Sequence, residues 1–244
     1  MVRRRLIVLL AVLVALAAGI WWFVLRSDAP KEAALPTLTS VAQPSSSGAT
    51  NPAGQANSST VLASGGTSAD GTWKVASGAD TFVGYRVEEV FAAGAVNKTA
   101  VGRTPTVTGT IVVAGATISS ATFEADMTGL KSDDPRRDSQ IKSRGVETVK
   151  FPKATFVLSS PIDLGGAPKV ATEIPVKATG KLTIHGVTKD VTLDLKARWS
   201  GDRVDVAGKT DILMADYAID PPTIPAIVTV EDNGILELQL TFTK

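Results

Sequence analysis

From Trp73 onward a two-residue period takes over from the helical one, and it points this chain to a strand-built fold. In Val191-Thr192-Leu193-Asp194-Leu195-Lys196-Ala197-Arg198-Trp199 the odd positions are apolar and the even positions polar. Leu236-Glu237-Leu238-Gln239-Leu240-Thr241-Phe242-Thr243 and Lys181-Leu182-Thr183-Ile184-His185 repeat the pattern. Successive side chains of a strand point to opposite faces, so each run has one dry and one wet face. An amphipathic helix would instead need apolar residues three and four apart. Further strands are expected over 83–91, 106–113, 117–127, 154–160 and 203–213. Ala114-Gly115-Ala116 and His185-Gly186 mark turns, and Asn233-Gly234 is the favoured hairpin pair ahead of the last strand. Long antiparallel strands in this number predict a barrel or a sandwich.

One helix interrupts the strands. Asp134 suits the N-cap, Pro135 the first helical position and Gly145 the C-terminal stop. Residues 136–144 are polar, with Ile141 as the apolar contact, a pattern that suits a short helix on a barrel rim.

The N-terminus reads differently. Arg3, Arg4 and Arg5 precede an uncharged run from Leu6 to Leu25, which as a helix spans roughly 30 Å, the thickness of a bilayer core. Trp21 and Trp22 stand near its far end and Arg26 closes it. Residues 1–26 are therefore expected to be a single-pass transmembrane anchor with a cytoplasmic N-terminus, leaving the remainder extracytoplasmic. A cleaved signal peptide, with secretion as its result, is the rival, and Ala15-Leu16-Ala17 offers a site. The run exceeds the usual signal length, and cleavage there would leave Ile20 to Leu25 exposed, so the uncleaved anchor is preferred. Residues 27–70 are rich in Ser, Thr, Ala, Gly and Pro and lack aromatics, which predicts a disordered linker reaching roughly 35–40 Å. One folded domain is expected over 71–244.

Composition removes several functions. The formal net charge is +1, and the stretch 71–244 is near neutral, so no basic face recommends nucleic acid. Cysteine is absent, which excludes disulfides, thiolate metal sites, a cysteine nucleophile and a lipoprotein acylation site. The lone histidine falls short of a metal-ligand set and serves no nucleophile elbow. A glycine-rich phosphate loop is missing. A conventional enzyme is therefore not expected, nor is a cofactor or a metal.

Several blocks carry a resemblance. They are Val83-Gly84-Tyr85-Arg86-Val87, Val101-Gly102-Arg103-Thr104, Val107-Thr108-Gly109, and Asp134-Pro135-Arg136-Arg137-Asp138-Ser139-Gln140-Ile141. After them come Phe151-Pro152-Lys153-Ala154-Thr155-Phe156, the long run Gly180–Val191 with Ile184-His185-Gly186-Val187-Thr188, and Asp216-Tyr217-Ala218-Ile219-Asp220-Pro221-Pro222. In this order they resemble the YceI-like family of polyisoprenoid-binding proteins. The resemblance implies an all-β, eight-stranded antiparallel, lipocalin-like barrel with a long apolar tunnel. It also implies a carrier or holder of a polyisoprenoid or fatty-acid derivative. Members of the family are usually secreted or periplasmic, so a transmembrane anchor with a long linker is a departure.

On this resemblance the dry strand faces supply the tunnel lining: Phe123, Phe156, Leu158, Leu182, Ile184, Val191, Leu193, Leu195, Trp199, Leu238, Leu240 and Phe242. Without it, the same residues read as the packing of a solid core. Arg137 and His185 are candidates for contact with a lipid head group. The plainer reading of His185 is a turn residue with a structural hydrogen bond. For the basic residues around Arg137 it is a solvated face paired with Asp133, Asp134, Asp138 and Glu147. The expected function is binding of a long isoprenoid or acyl lipid at the outer face of the cytoplasmic membrane. The alternative is an anchored interaction module that serves a membrane protein of a redox or envelope-stress system without carrying lipid.

Overall fold

The structure, a computed structural model, describes residues 29–38, 68–91, 96–221 and 228–244. The apolar run 6–25 and residues 39–67 of the expected linker lie outside the described residues. No helix among the described residues is long and apolar enough to cross a membrane.

The strands are β1 (Gly71–Val75), β2 (Phe82–Phe91), β3 (Val96–Thr104), β4 (Val107–Ala114), β5 (Thr117–Asp126), β6 (Lys131–Ser132) and β7 (Lys153–Leu158). They continue with β8 (Ile162–Asp163), β9 (Glu173–Ile184), β10 (Val187–Trp199), β11 (Arg203–Leu213) and β12 (Val228–Thr243), and the α-helix α1 covers Pro135–Gln140. Two pairs of segments act as single broken staves. β1 and β2 follow one another along the same edge of β12, which meets Lys74 and Val75 through Thr243 and Phe242, and Phe82–Phe91 through Gln239 to Val228. Across from them, β4 pairs β1 while β3 pairs β2. The ladder then runs β4, β5, β7, β9, β10, β11, β12 and back to the start, all antiparallel. Among the described residues the result is an eight-stave, up-and-down β-barrel with one short α-helix, and closure leaves its staves few open edges.

Two turns behave as the sequence suggests. Gly115-Ala116 joins β4 to β5, and His185-Gly186, both at positive φ, join β9 to β10. Asn233-Gly234 does not form a hairpin. It lies inside β12, where the register against β2 shifts between Val230 and Gly234. The chain needs no turn there because Asp232 is tied sideways instead, its carbonyl to Met214 N at 2.9 Å and its carboxylate to Ala215 N at 3.1 Å. The extra residues are absorbed as a bulge. β3 was not anticipated as a full strand, because its inward positions include Ala100 and Gly102 rather than large apolar groups.

The helix begins as expected: Asp134 accepts from Arg136 N at 2.8 Å, and Pro135 opens the first turn. It changes character at Ile141, where a π turn over Ile141–Gly145 replaces the last α turn. Ile141 is buried there.

Residues 29–38 depart from the expectation of an unstructured linker. They lie across the outside of the barrel and hydrogen-bond to β2, β3, β10 and β12. The physical reason is a set of charged side chains on the outer wall that require backbone partners.

Inside, the end of the barrel near β1 is filled. Trp73 and Phe242 are fully buried. The indole of Trp73 donates to Ala69 O at 2.7 Å, and that of Trp199 to Gly201 O at 2.9 Å. The rings of Phe123 and Phe242 lie 5.7 Å apart, and those of Phe123 and Phe156 lie 6.3 Å apart and stacked. Phe242→Ala is expected to cost about 3–5 kcal/mol of folding stability. Denaturant unfolding of the variant beside the parent measures it, and a loss below about 1 kcal/mol would mean that this end is not close-packed.

Candidate functional site

The opposite half of the barrel holds a cavity. Its space free of protein atoms is about 930 Å³, the open mouth included. The walls are apolar: Val83 and Val87 from β2, Ile184 from β9, Ile212 from β11, and Val230 and Leu236 from β12. Met127, Leu130, Ile141 and Val146 close the side where β5 has already ended. β3 outlasts β5 at this end and, past the two-residue β6, has β2 as its described strand partner. The segment α1 with its π turn covers that gap, and Arg137, Ile141 and Gly145 reach the cavity.

A buried ion pair fastens this cover. Glu89 lies on the inner face of β2 and is 7 % exposed. Arg137 meets it with two parallel bonds, Nε to Oε1 and Nη2 to Oε2, both 2.8 Å. A third nitrogen of Arg137 donates to Asp133. Bidentate pairs of this kind are strong and directional, and a carboxylate facing an apolar cavity requires one. The bonds to Glu89 hold the Arg137 guanidinium above its ordinary range, so it stays charged. Asp138 secures the helix from its other side by accepting from Ser132 N and Ser132 Oγ, each at 2.7 Å.

Tyr85 is a further polar group in the cavity wall. Its ring lies against Gly102 on the neighbouring strand, where a Cβ would stand 2.2 Å from the ring, so only glycine leaves it room. Its hydroxyl is buried and has no hydrogen-bond partner among the described residues. Burial pushes its pKa well above the usual phenol range. It is therefore a neutral phenol sealed beside the polar end of an apolar chamber.

His185 stands outside the chamber, in the β9–β10 turn. Its Nε2 lies 2.7 Å from the Glu147 carboxylate and its Nδ1 3.1 Å from Tyr217 O. The ring packs edge-on against Phe151 at 4.4 Å. These contacts tie the stretch after the π turn to the barrel, which is the structural role of a turn residue.

Among the residues proposed to line a tunnel, Ile184 lines this cavity. Phe156, Leu182, Leu193, Trp199, Leu238, Leu240 and Phe242 are buried in the main core cluster, and Phe123, Leu158, Val191 and Leu195 pack against it. They share the dry face of the barrel with the cavity wall, but lower down, where aromatic rings fill the interior. Arg137 does reach the cavity, with its donors committed to carboxylates. Sequence reasoning passed over Val83, Tyr85, Val87 and Glu89, the alternating inner residues of β2. Their signal was Glu89 itself, an acid in step with three apolar or aromatic positions.

The YceI-like domain model matches residues 73–242. A UPF0312 protein of Vibrio campbellii is 32 % identical over 101 residues, 38 % of this chain and 50 % of that protein. A UPF0312 protein of Shewanella sp. strain ANA-3 is 30 % identical over 128 residues, 50 % of this chain and 63 % of that one. The chain thus spans about half to two-thirds of the length of these curated relatives. Among solved structures, a polyisoprenoid binding domain from Saccharophagus degradans, implicated in plant cell wall breakdown, superposes with a TM-score of 0.53. That likeness has 16 % identity and covers 70 % of this chain and 97 % of the other, so it speaks for the fold. With the domain matched from Trp73 to Phe242 and the closed eight-stave barrel built on it, the chain belongs to the YceI-like family.

Proposed function

We propose that this protein binds a long-chain apolar lipid, a polyisoprenoid or a fatty-acid derivative, without catalysing a reaction, at the outer face of the cytoplasmic membrane. The observation that carries the reading is the apolar cavity roofed by α1 at one end of the barrel. Transfer of a chain from water into it gains about 0.8 kcal/mol per methylene, so ten methylenes supply roughly 8 kcal/mol before ordering costs. The polyisoprenoid-binding neighbour of the same fold supports this class of ligand. The uncharged run 6–25 behind three arginines supports anchorage with the barrel outside.

The polar end of the cavity favours a particular division of labour. Arg137 is already held by Glu89 and Asp133, and an added anion would meet those carboxylates. Its task is to close the barrel side. The Tyr85 hydroxyl is itself sealed from solvent, and with both lining arginines, Arg86 and Arg137, committed to carboxylates, a neutral head group fits better than a phosphate.

Native mass spectrometry of the full chain, released gently from its own membrane fraction, tests the proposal. A stoichiometric lipid of defined mass is the expected result; an empty protein that also fails to take up prenyl or acyl chains would sink it. Ala154 lines the cavity from β7, and Ala154→Trp would fill part of it. Displacing two methylenes forfeits roughly 1.6 kcal/mol, a loss of about fifteenfold in affinity. Titration with a fluorescent fatty acid, alongside circular dichroism to verify the barrel, reads that loss.

The state of Tyr85 has its own test, because the chain has two tyrosines and burial raises both. Above about pH 10 the unfolded chain releases phenolic protons that the folded chain retains. The unfolded state then binds fewer protons, so stability falls as pH rises through this window and is complete below it. Tyrosinate absorbance is expected to appear together with unfolding. Two phenols titrating near pH 10 in a barrel that stays folded would contradict the burial of both.

A further inference from the structure

The outer wall of the barrel carries a feature that alternation alone would place in water. Glu237 sits between Leu236 and Leu238 on the outward face of β12, yet it is 0 % exposed. Arg86 donates to it through Nε at 2.7 Å, and Arg103 through Nε at 2.8 Å. A second acid, Asp205 on β11, is 1 % exposed between Arg203, at 2.9 Å, and Arg198, at 3.5 Å. Each acid is thus flanked by two guanidinium groups, which offer more donors than one carboxylate can accept. Buried charges persist where the remaining donors and lone pairs find partners.

Residues 29–38 provide partners for three of these four guanidinium groups. The carbonyl of Pro30 accepts from Arg86, that of Lys31 from Arg103 and that of Pro36 from Arg198. Ala33 N donates to Glu237 Oε2 at 3.2 Å, and Ala34 N to the Gln239 side chain at 3.3 Å. Lys209 reaches Glu32 at 2.8 Å. Along its length the segment touches β2, β3, β11, β12 and β10, bonding directly to Glu237 and, beside Asp205, to Arg198. Most of these bonds use its backbone, so a ten-residue extended strap completes the wall.

We infer that residues 29–38 are a docking strap that holds the barrel close against the bilayer, with its cavity end toward the lipid. The inference rests on the proposed membrane anchor at 6–25. Four peptide links separate Arg26 from Pro30, and they span at most roughly 14 Å. With no strap, the barrel would first be joined near Ser68, and a coil of that length reaches roughly 35–40 Å. The membrane-side end of the strap meets Arg86, which stands between Tyr85 and Val87 in the cavity wall. A lipid leaving the bilayer therefore has a short path to the chamber, and the barrel cannot swing freely to distant partners.

The test uses the full chain in vesicles of phosphatidylcholine and phosphatidylglycerol. Since the chain has no cysteine, Glu88→Cys gives one labelling site on the exposed face of β2 near Arg86. Energy transfer from that label to head-group-labelled lipid is compared with a chain whose residues 29–38 are replaced by glycine and serine at equal length. The parent should show strong transfer and the replaced chain a clear loss. In the parent, the amides of Ala33 and Ala34 should exchange with deuterium at least about tenfold more slowly than in an unprotected peptide. Equal transfer in both chains, or unprotected exchange at both amides, overturns the strap. Failure of the parent to float with the vesicles overturns the anchor, and with it membrane docking, while the exchange rates still report whether the segment binds the wall.

Discussion

Two-sided pairing of β12 is the constraint on which the remaining structure depends. One edge of this strand runs along β11, and the other is shared by β1 and β2 in succession. That sharing closes the sheet on itself and satisfies the backbone of the longest strand on both sides. Closure also fixes which residues face inward over the whole height of the barrel. Leu236 enters the cavity, Leu238 and Leu240 the packed middle, and Phe242 the filled end. The residues between them, Glu237 and Gln239, point outward to the strap. Core, cavity and outer wall are read from one alternating run.

A cavity survives because the two ends of the barrel are filled with groups of different size. Trp73, Trp199 and Phe242 bring large rings to one end, while Val83, Val87, Ile212 and Val230 leave room at the other. Interiors pack to crystal density where side chains allow it, so small residues around a wide ring of strands leave space. The helix cover keeps that space from being a plain opening. Its anchor is the Arg137–Glu89 pair, in which an acid facing an apolar chamber dictates where the helix must sit. Arg137 is therefore a positioning group for the wall.

The outer surface follows the same electrostatic logic. Glu237 and Asp205 are each held between two arginines, and a segment that belongs to no strand bonds to Glu237 and to Arg198 beside Asp205. Arg103 adds a stacking contact over the Phe82 ring at 4.0 Å, which fixes its guanidinium plane. The composition of 29–38 gave no sign of order, because the segment buries little apolar surface. Its contacts are backbone hydrogen bonds to charges, and any sequence with accessible carbonyls at the right spacing could supply many of them.

The sequence by itself determined the all-β class, most strand positions, the helix cap at Asp134 with Pro135, and the two-residue turn at His185-Gly186. These depend on local alternation and on the backbone preferences of a few residues, which do not need the fold to act. It also determined that the candidate lining residues face inward, since inward and outward are a matter of parity. Only the tertiary structure decided at which height each one sits. Leu193 and Val87 have the same parity, but one is buried in the main core and the other lines the cavity, because register and closure set depth along the barrel axis. The same holds for the bulge at Asn233-Gly234, the joining of Glu89 to Arg137 across 48 positions, and the strap over Glu237. Each arises from groups distant in the chain whose charges or backbone bonds are satisfied only once the barrel has closed.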